Sequence, residues 1–397
     1  MKKGCLSDYF TEIAVKKLSV VDVDPRKSNQ HELGGIKGIF PKKKIIDNIL
    51  FIYFGEDENE TISEDVPITW YDTRKNDPDR SPEWRLYYRT NSVVNKAEAG
   101  DMLFMCKRTD GRVIAIITQA QSTIENQLCW IFGLKDVEDK FAEKNIKEDN
   151  KNIEFVSGYI LDVIGIETEE EDERYLEKLL IAFPGGFPTT KVFSQFARDS
   201  VGDISSLDGP DKTIMAWMEH EEMLFKTYEK YLVSDHIKKG FDDVDEFIAF
   251  SLSVHNRRKS RVGYAFENHL EYLFMKHEIK YSRNKTTEGN SKPDFIFPGI
   301  KQYHDEAFSS AKLFMLGVKT TCKDRWRQVL AEAQRIEVKH LATLEPGISK
   351  NQTDEMNSQK VRLVLPEPIH ATYKDEQQKW LLNIGEFMKL INVEKVL

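Results

Sequence analysis

The chain has 397 residues, with 57 Lys and Arg against 66 Asp and Glu, for a formal charge of −9. Hydrophobic residues at 40% and charged residues at 31% exclude a wholly disordered or collagen-like chain, and the length fits two or three domains. The longest apolar run, Ile49 to Phe54, is far short of the ~18–20 residues that span a bilayer. No apolar stretch with a small-residue cleavage site follows Met1-Lys2-Lys3, so neither a membrane segment nor a secretory signal is expected. The acidic balance argues against a non-specific nucleic-acid coat. It leaves a specific nuclease open, because charge can be segregated locally.

Up to about residue 133, β-branched and aromatic runs alternate with turn signals, as in a barrel or sandwich. The runs are Ile45–Phe54, Arg85–Tyr88, Met102–Met105, Val113–Thr118 and Trp130–Phe132, punctuated by Gly34-Gly35, Asn76-Asp77-Pro78, Ser81-Pro82, Gly100-Asp101 and Asp110-Gly111. Ala120–Leu128 reads as a helix, with a capping box leading from Ser122 or Thr123 toward Glu125 and Asn126. Composition then shifts. Charge is dense from Lys135 to Lys151, Glu167–Glu173 is an acidic block read as a solvated helix start or loop, and a Pro-Gly stretch follows at 183–188. This predicts a first domain over 1–150, a connection with some helix over 151–205, and a second domain over 206–397. In that last part, helical spacing covers Thr213–Ser234, Val244–Val254, Val262–His277 and Asp324–Leu341, and strands are expected at Phe295–Phe297, Leu313–Val318 and Val361–Leu365. The second domain is therefore α/β, with helices flanking a mixed sheet.

Cys5, Cys106, Cys129 and Cys322 fall in no zinc-like spacing and read as free thiols of a cytoplasmic protein. The sharpest chemical feature is Pro293-Asp294 followed by Val318-Lys319, the latter ending an apolar run. A carboxylate and a lysine at neighbouring strand ends are the core of a metal-dependent phosphodiesterase. The acid holds Mg²⁺, and the lysine orients water and offsets charge on phosphate. The usual motif has an acid two residues before the lysine, where this chain has Gly317. Glu332, 13 residues after Lys319, is the best replacement, and Glu267 is a candidate for a further acid. Alone, the pattern is also compatible with a loop aspartate and a surface lysine.

Two basic clusters add to it. Arg257, Arg258, Lys259 and Arg261 are candidate phosphate contacts. Lys312–His340 holds seven Lys or Arg (with Arg327 a further phosphate candidate) against three acids. Lys323-Asp324-Arg325 has the donors and acceptor to read adjacent G·C pairs. Tyr303-His304-Asp305 reads as packing ahead of phosphate contact, and Trp326 as core or as a shield for an extruded base. Trp217 and Tyr228 read as core.

The stretches GFDDVDEFIAFSLSVHNRRKSR (240–261), TEGNSKPDFIFPG (287–299), YHD (303–305) and VKTTCKDRWRQVLAEA (318–333) resemble, in order and spacing, the catalytic half of the EcoRII family of type II restriction endonucleases. This is the branch of the PD-(D/E)XK nucleases whose second acid has migrated. The resemblance covers roughly 210–397. It implies Asp294, Lys319 and Glu332 as the catalytic core, with Asp294 and Glu332 as metal ligands and Glu267 at a further acidic position. It also implies Lys323, Asp324 and Arg325 as readers of a 5′-CCWGG-like site in double-stranded DNA. A homodimer with central bases flipped out, and a DNA methyltransferase as a separate chain, are implied as well. More weakly, IAVKKLSVVDVDPRKSNQHELGGIKGIFP (13–41) is similar to the family's effector domain, a β-rich DNA-binding pseudobarrel, with His31 in the matching stretch. The family's basic loop is not recognisable here, and Arg85 and Arg89, with Arg74, Lys75 and Arg80, are the candidate substitutes. A non-cleaving DNA-binding regulator and a structure-selective repair nuclease are the competing readings. The acid pair with lysine argues against the first, and the reader triplet against the second.

Overall fold

The computed structural model describes residues 5–24, 26, 31–56, 60–77, 79–146, 155–166, 173–202, 204, 207 and 209–392. The acidic block at 167–172 lies outside them, as do the side chains of Lys259, Lys323 and Asp324. The chain divides into two compact units, Met1–Glu167 with Gly347–Asn351, and Thr168–Pro346 with Gln352–Leu397.

The N-terminal unit is built on a curled mixed sheet. Its strands are β1 (Phe10–Lys17), β2 (Glu32–Gly34), β3 (Ile45–Phe54), β4 (Ile62–Asp72), β5 (Trp84–Tyr88), β6 (Met102–Arg108), β7 (Val113–Thr118) and β8 (Ala142–Asn145), in the spatial order β2-β5-β4-β3-β7-β6-β1-β8. All pairs are antiparallel except β3 with β7, which run parallel with Leu50 opposite Ile114. One face buries Phe51, Tyr53, Trp70, Leu86, Tyr88, Leu103 and Met105 in a single apolar cluster. The two edge strands do not pair, yet Gly34 at the end of β2 and Glu143 on β8 line one cleft of about 470 Å³ with Lys16, Lys37 and Phe141. A sheet curled until its edges meet without a ladder is a pseudobarrel, as the resemblance implied.

Two short helices, α1 (Val20–Val23) and α2 (Ser92–Lys96), accompany this sheet, and α3 (Thr123–Phe132) lies between β7 and β8. Ser122 caps α3 by accepting the Glu125 amide, as the sequence predicts. The helix runs on to Phe132, so Trp130–Phe132 is its last turn and not the expected strand. Helix α4 (Phe155–Val163) follows within this unit.

In the C-terminal unit, α5 (Glu173–Ala182) and α6 (Thr190–Ser200) occupy a stretch expected to be mainly connection. They pack on α7 (Pro210–Lys239) and α8 (Val244–Lys276). Leu179, Phe193, Ala197, Leu224, Phe225 and Tyr228 form the core of that layer. The two helices expected at 244–254 and 262–277 are one helix of 33 residues, capped by Asp243 accepting the Glu246 amide. The polar stretch between them stays helical because Arg258 pairs with Glu229 on α7 at 2.6 Å and Arg261 pairs with Glu222.

Phe266, Leu270, Leu273 and Phe274 on α8 are buried, with the Phe274 ring 5.3 Å from that of Phe295. The sheet of this unit has β9 (Ser282–Arg283), β10 (Phe295–Phe297), β11 (Phe314–Val318), β12 (Lys339–Ala342) and β13 (Val361–Val364), in the order β13-β12-β11-β10-β9. Strands β11, β12 and β13 run parallel, while β10 is antiparallel to both its neighbours. Between β10 and β11 lies α9 (Ile300–His304). The helix expected over 324–341 is absent. Lys323–Ala331 is a 3-10 helix, Glu332 is extended, and 339–342 is strand. No described helix is long and apolar enough to cross a membrane.

Candidate active site

Antiparallel pairing sets the site. Phe295 lies opposite Leu316, so Asp294, just before β10, and Lys319, just after β11, emerge at the same end of the sheet. The Val318 amide donates to Asp294 Oδ2 at 2.6 Å, and Lys319 Nζ lies 3.3 Å from the same oxygen and 3.1 Å from the Val318 carbonyl. Two more acids feel the charge of Asp294. Glu267 projects from α8, and Arg283 Nη2 donates to its Oε2 at 2.9 Å. The same guanidinium donates to Glu271 at 2.7 Å and to Asn268 at 3.1 Å, so Arg283 ties β9 to α8 directly behind the site. Glu332 follows the 3-10 helix, and its Oε2 is buried without a hydrogen-bond partner.

The electrostatics show that these groups share one neighbourhood. Burial, and then the charge of Asp294, push the Glu332 carboxyl up to about 6, with Lys319 and Lys339 pulling the other way. Burial and Asp294 likewise raise Glu267, against the lowering effect of Arg283 and Lys319. A cation beside these carboxylates would offset the cost of their charges. Among the described residues, no group of three or more His, Cys, Asp and Glu side chains is disposed to hold a metal. Two carboxylates that leave positions for water and phosphate oxygens are nevertheless the donor set Mg²⁺ commonly takes.

Gly317 stands where the usual motif has its acid. A Cβ there would stand 2.7 Å from Val329 Cγ1, closer than real Cβ contacts come. Val329 is fully buried and closes the 3-10 helix over β11. A side chain on the strand at 317 would therefore have to displace Val329.

The other predicted residues scatter more widely. Arg325 lies in the 3-10 helix and is exposed, while the side chains of Lys323 and Asp324 lie outside the described residues. Arg327 pairs with Glu355 at 2.9 Å. Of the basic stretch on α8, Arg257 stacks over Phe187, Arg258 is paired, and Arg261 is buried with 4% exposure against Glu222 and the Phe225 ring. Arg261 is therefore a strut between helices, which corrects its reading as a phosphate contact. Trp326 and Trp217 are core, and Tyr303 is buried with its hydroxyl on Glu288.

In the N-terminal unit, His31 and Arg89 flank the β2–β5 ladder, since the Tyr88 amide donates to the His31 carbonyl. His31 Nε2 lies 3.1 Å from Thr90 Oγ1. Arg89 is exposed, whereas Arg85 is held by Glu32 at 2.9 Å and Glu83 at 2.7 Å. Arg283 and Lys339 were missed as site residues.

A family model described as EcoRII C terminal matches residues 225–388. Among curated proteins, the type II restriction enzyme EcoRII of Escherichia coli is 41% identical over 235 residues, covering 58% of this chain and 57% of that protein. The type II restriction enzyme SsoII of Shigella sonnei is 25% identical over 189 residues, covering 40% and 61%. The matches thus span about three fifths of those relatives' own lengths. Among solved structures, metal-depleted Ecl18kI in complex with uncleaved DNA aligns at a TM-score of 0.45 and 20% identity, covering 55% of this chain and 82% of that one. A restriction endonuclease PspGI–substrate DNA complex aligns at 0.42 and 16%, covering 52% and 94%. The sequence resemblance and the family model agree: residues 225–388 match the EcoRII C-terminal family, and the chain is similar to EcoRII over 235 residues.

Proposed function

We propose that the chain is a sequence-specific DNA endonuclease of a restriction system that hydrolyses phosphodiesters with Mg²⁺ at a 5′-CCWGG-like site. The observation that supports this reading is the contact of Asp294 with Lys319 at the ends of β10 and β11, whose charges are felt by Glu267 and Glu332. Asp294 and Glu332 would hold the ion, a role supported by the buried, unpartnered Glu332 Oε2. When bound, Mg²⁺ supplies Lewis acidity at a phosphoryl oxygen and lowers the pKa of water. Lys319, held at the strand end by Asp294 and the Val318 carbonyl, orients the attacking water and offsets charge on the phosphate, leaving 5′-phosphate and 3′-hydroxyl ends.

Lys323, Asp324 and Arg325, which begin four residues after Lys319, would read the G·C pairs beside the cut bond. Arg257, Arg258 and Arg327 remain candidates for the DNA backbone, with their present acidic or aromatic partners exchanged for phosphates. The N-terminal unit would bind a second DNA copy through Arg89 and His31. The partner subunit would be a second copy of the chain, and the cognate methyltransferase a separate protein. Incubation of the full chain with plasmid carrying 5′-CCWGG tests this. Discrete Mg²⁺-dependent fragments, absent with Asp294→Ala, are expected. Binding without fragments, or cutting confined to branched DNA, would overturn it.

A further inference from the structure

The second acid of this site stands on a turn, and turns do not hold themselves in place. Four consecutive residues, Glu332 to Arg335, are pinned by side chains from three other places. Lys339 Nζ donates to the Glu332 carbonyl at 2.5 Å and to the Ala333 carbonyl at 2.7 Å. Glu288 Oε2 accepts the Gln334 amide at 3.2 Å, and the Tyr303 hydroxyl accepts the Arg335 amide at 3.3 Å. Tyr303 in turn donates to Glu288, which joins the last two anchors into one unit.

Lys339 is the unusual member. It opens β12, whose four residues are all buried, and is itself only 6% exposed. A cation in such a place is costly unless its donors are satisfied. Here they are satisfied by two peptide carbonyls and not by a carboxylate. Those carbonyls flank Ala333, whose φ of +46° lies in the left-handed region that residues with a Cβ rarely adopt. The kink turns the chain between Glu332 and β12. Without a donor on both sides of it, a Cβ-bearing residue would relax toward the ordinary regions, and Glu332 would swing with it.

We infer that Lys339 is a positioning residue for the site: by clamping the two carbonyls about the Ala333 kink, it holds Glu332 where, with Asp294, it can grip a divalent cation. This rests on the metal-dependent reading above. The lysine touches the backbone of the residue proposed to hold the ion, so its effect is on the ion. Loss of a group that orients a metal ligand weakens metal binding about ten- to hundredfold.

The test measures Mn²⁺ binding to the full chain, alone and on a phosphorothioate duplex carrying 5′-CCWGG, by the electron paramagnetic resonance signal of free Mn²⁺. Wild type, Lys339→Met and Asp294→Asn are compared, with thermal unfolding and metal-free duplex binding beside them. The expected result is that K339M folds, binds the duplex within about twofold of wild type, and loses about tenfold or more in Mn²⁺ affinity. The Mg²⁺ concentration for half-maximal cleavage should rise in parallel. Mn²⁺ affinity lost in D294N but unchanged in K339M would overturn the role of Lys339 alone. Undiminished affinity in D294N, or no binding by wild type, would overturn the metal site and this inference with it. If K339M does not fold, Glu288→Gln slackens the neighbouring anchor from outside the buried strand. A smaller loss of Mn²⁺ affinity is then expected, and an unchanged affinity overturns the proposal.

Discussion

Restoring a side chain at Gly317 is the sharpest test of why the acid left the strand. In Gly317→Ala the new Cβ meets Val329 Cγ1 at 2.7 Å, whereas its next neighbours, Leu341 Cδ1 at 3.5 Å and the His340 carbonyl at 3.8 Å, are at ordinary contact distances. Carbon atoms pack best at about 3.5–4.0 Å, so Val329 must retreat by about 1 Å from a fully buried position. Overpacking of this kind costs about 1–3 kcal/mol. Val329→Ala alone loses two buried methyl groups at about 0.8 kcal/mol each, plus a cavity term. In the double variant the two faults cancel, because the added Cβ enters the space that the lost Cγ1 vacates.

Urea denaturation of the four proteins should therefore give a double variant less destabilised than the sum of the singles by about 1–2 kcal/mol, at unchanged m-value. Strict additivity would refute the claim that Val329 is what forbids a strand acid. Near-neutrality of Gly317→Ala by itself would refute it more directly.

Other outcomes follow from the same geometry. Glu332 has a carboxyl raised to about 6 from an ordinary 4.5, so its ionised form opposes folding. That deficit is fully present above pH 6 and gone below pH 4.5. Glu332→Gln should therefore stabilise the metal-free protein by about 1 kcal/mol at pH 7.5, after allowance for solvent screening, and the gain should vanish as thermal unfolding is repeated down to pH 4.5. Arg261→Ala leaves Glu222 to Lys226 at 3.7 Å in place of its closer partner and should cost about 1.5–3 kcal/mol in chemical denaturation. A stable variant that fails only in DNA binding would restore Arg261 as a phosphate contact. Arg89→Ala should move stability by no more than about 0.5 kcal/mol while weakening duplex binding by the N-terminal unit, measured as a reduced salt dependence of affinity.

Much of the fold was legible because its strands announce themselves. Ile45–Phe54, Val113–Thr118 and Phe295–Phe297 are apolar runs bounded by turn residues, and Ser122 marked the start of its helix. The failures have physical causes. Trp130–Phe132 is a three-residue apolar run, which periodicity cannot assign. Helix α8 read as two because its middle carries arginines where apolar residues were sought. Ion pairs to Glu229 and Glu222 take the place of hydrophobic contact there. The 3-10 helix read as α-helix because the buried Trp326 and Val329, three residues apart, suit both periods.

At the site, Asp294 and Lys319 read as strand-end residues, and Glu332 as the best candidate for the second acid. Arg283 and Lys339 were not visible, because their partners are a pair of glutamates on another element and a pair of backbone carbonyls.

The move of the acid from strand to turn has a further consequence. A side chain on a strand inherits its position from the ladder, so any change to it is also a change to the scaffold. Glu332 instead takes its place from a lysine, a glutamate and a tyrosine, each replaceable by a single codon. The proposed ion site is thereby uncoupled from the integrity of the sheet, and selection can adjust one in small steps while leaving the other untouched.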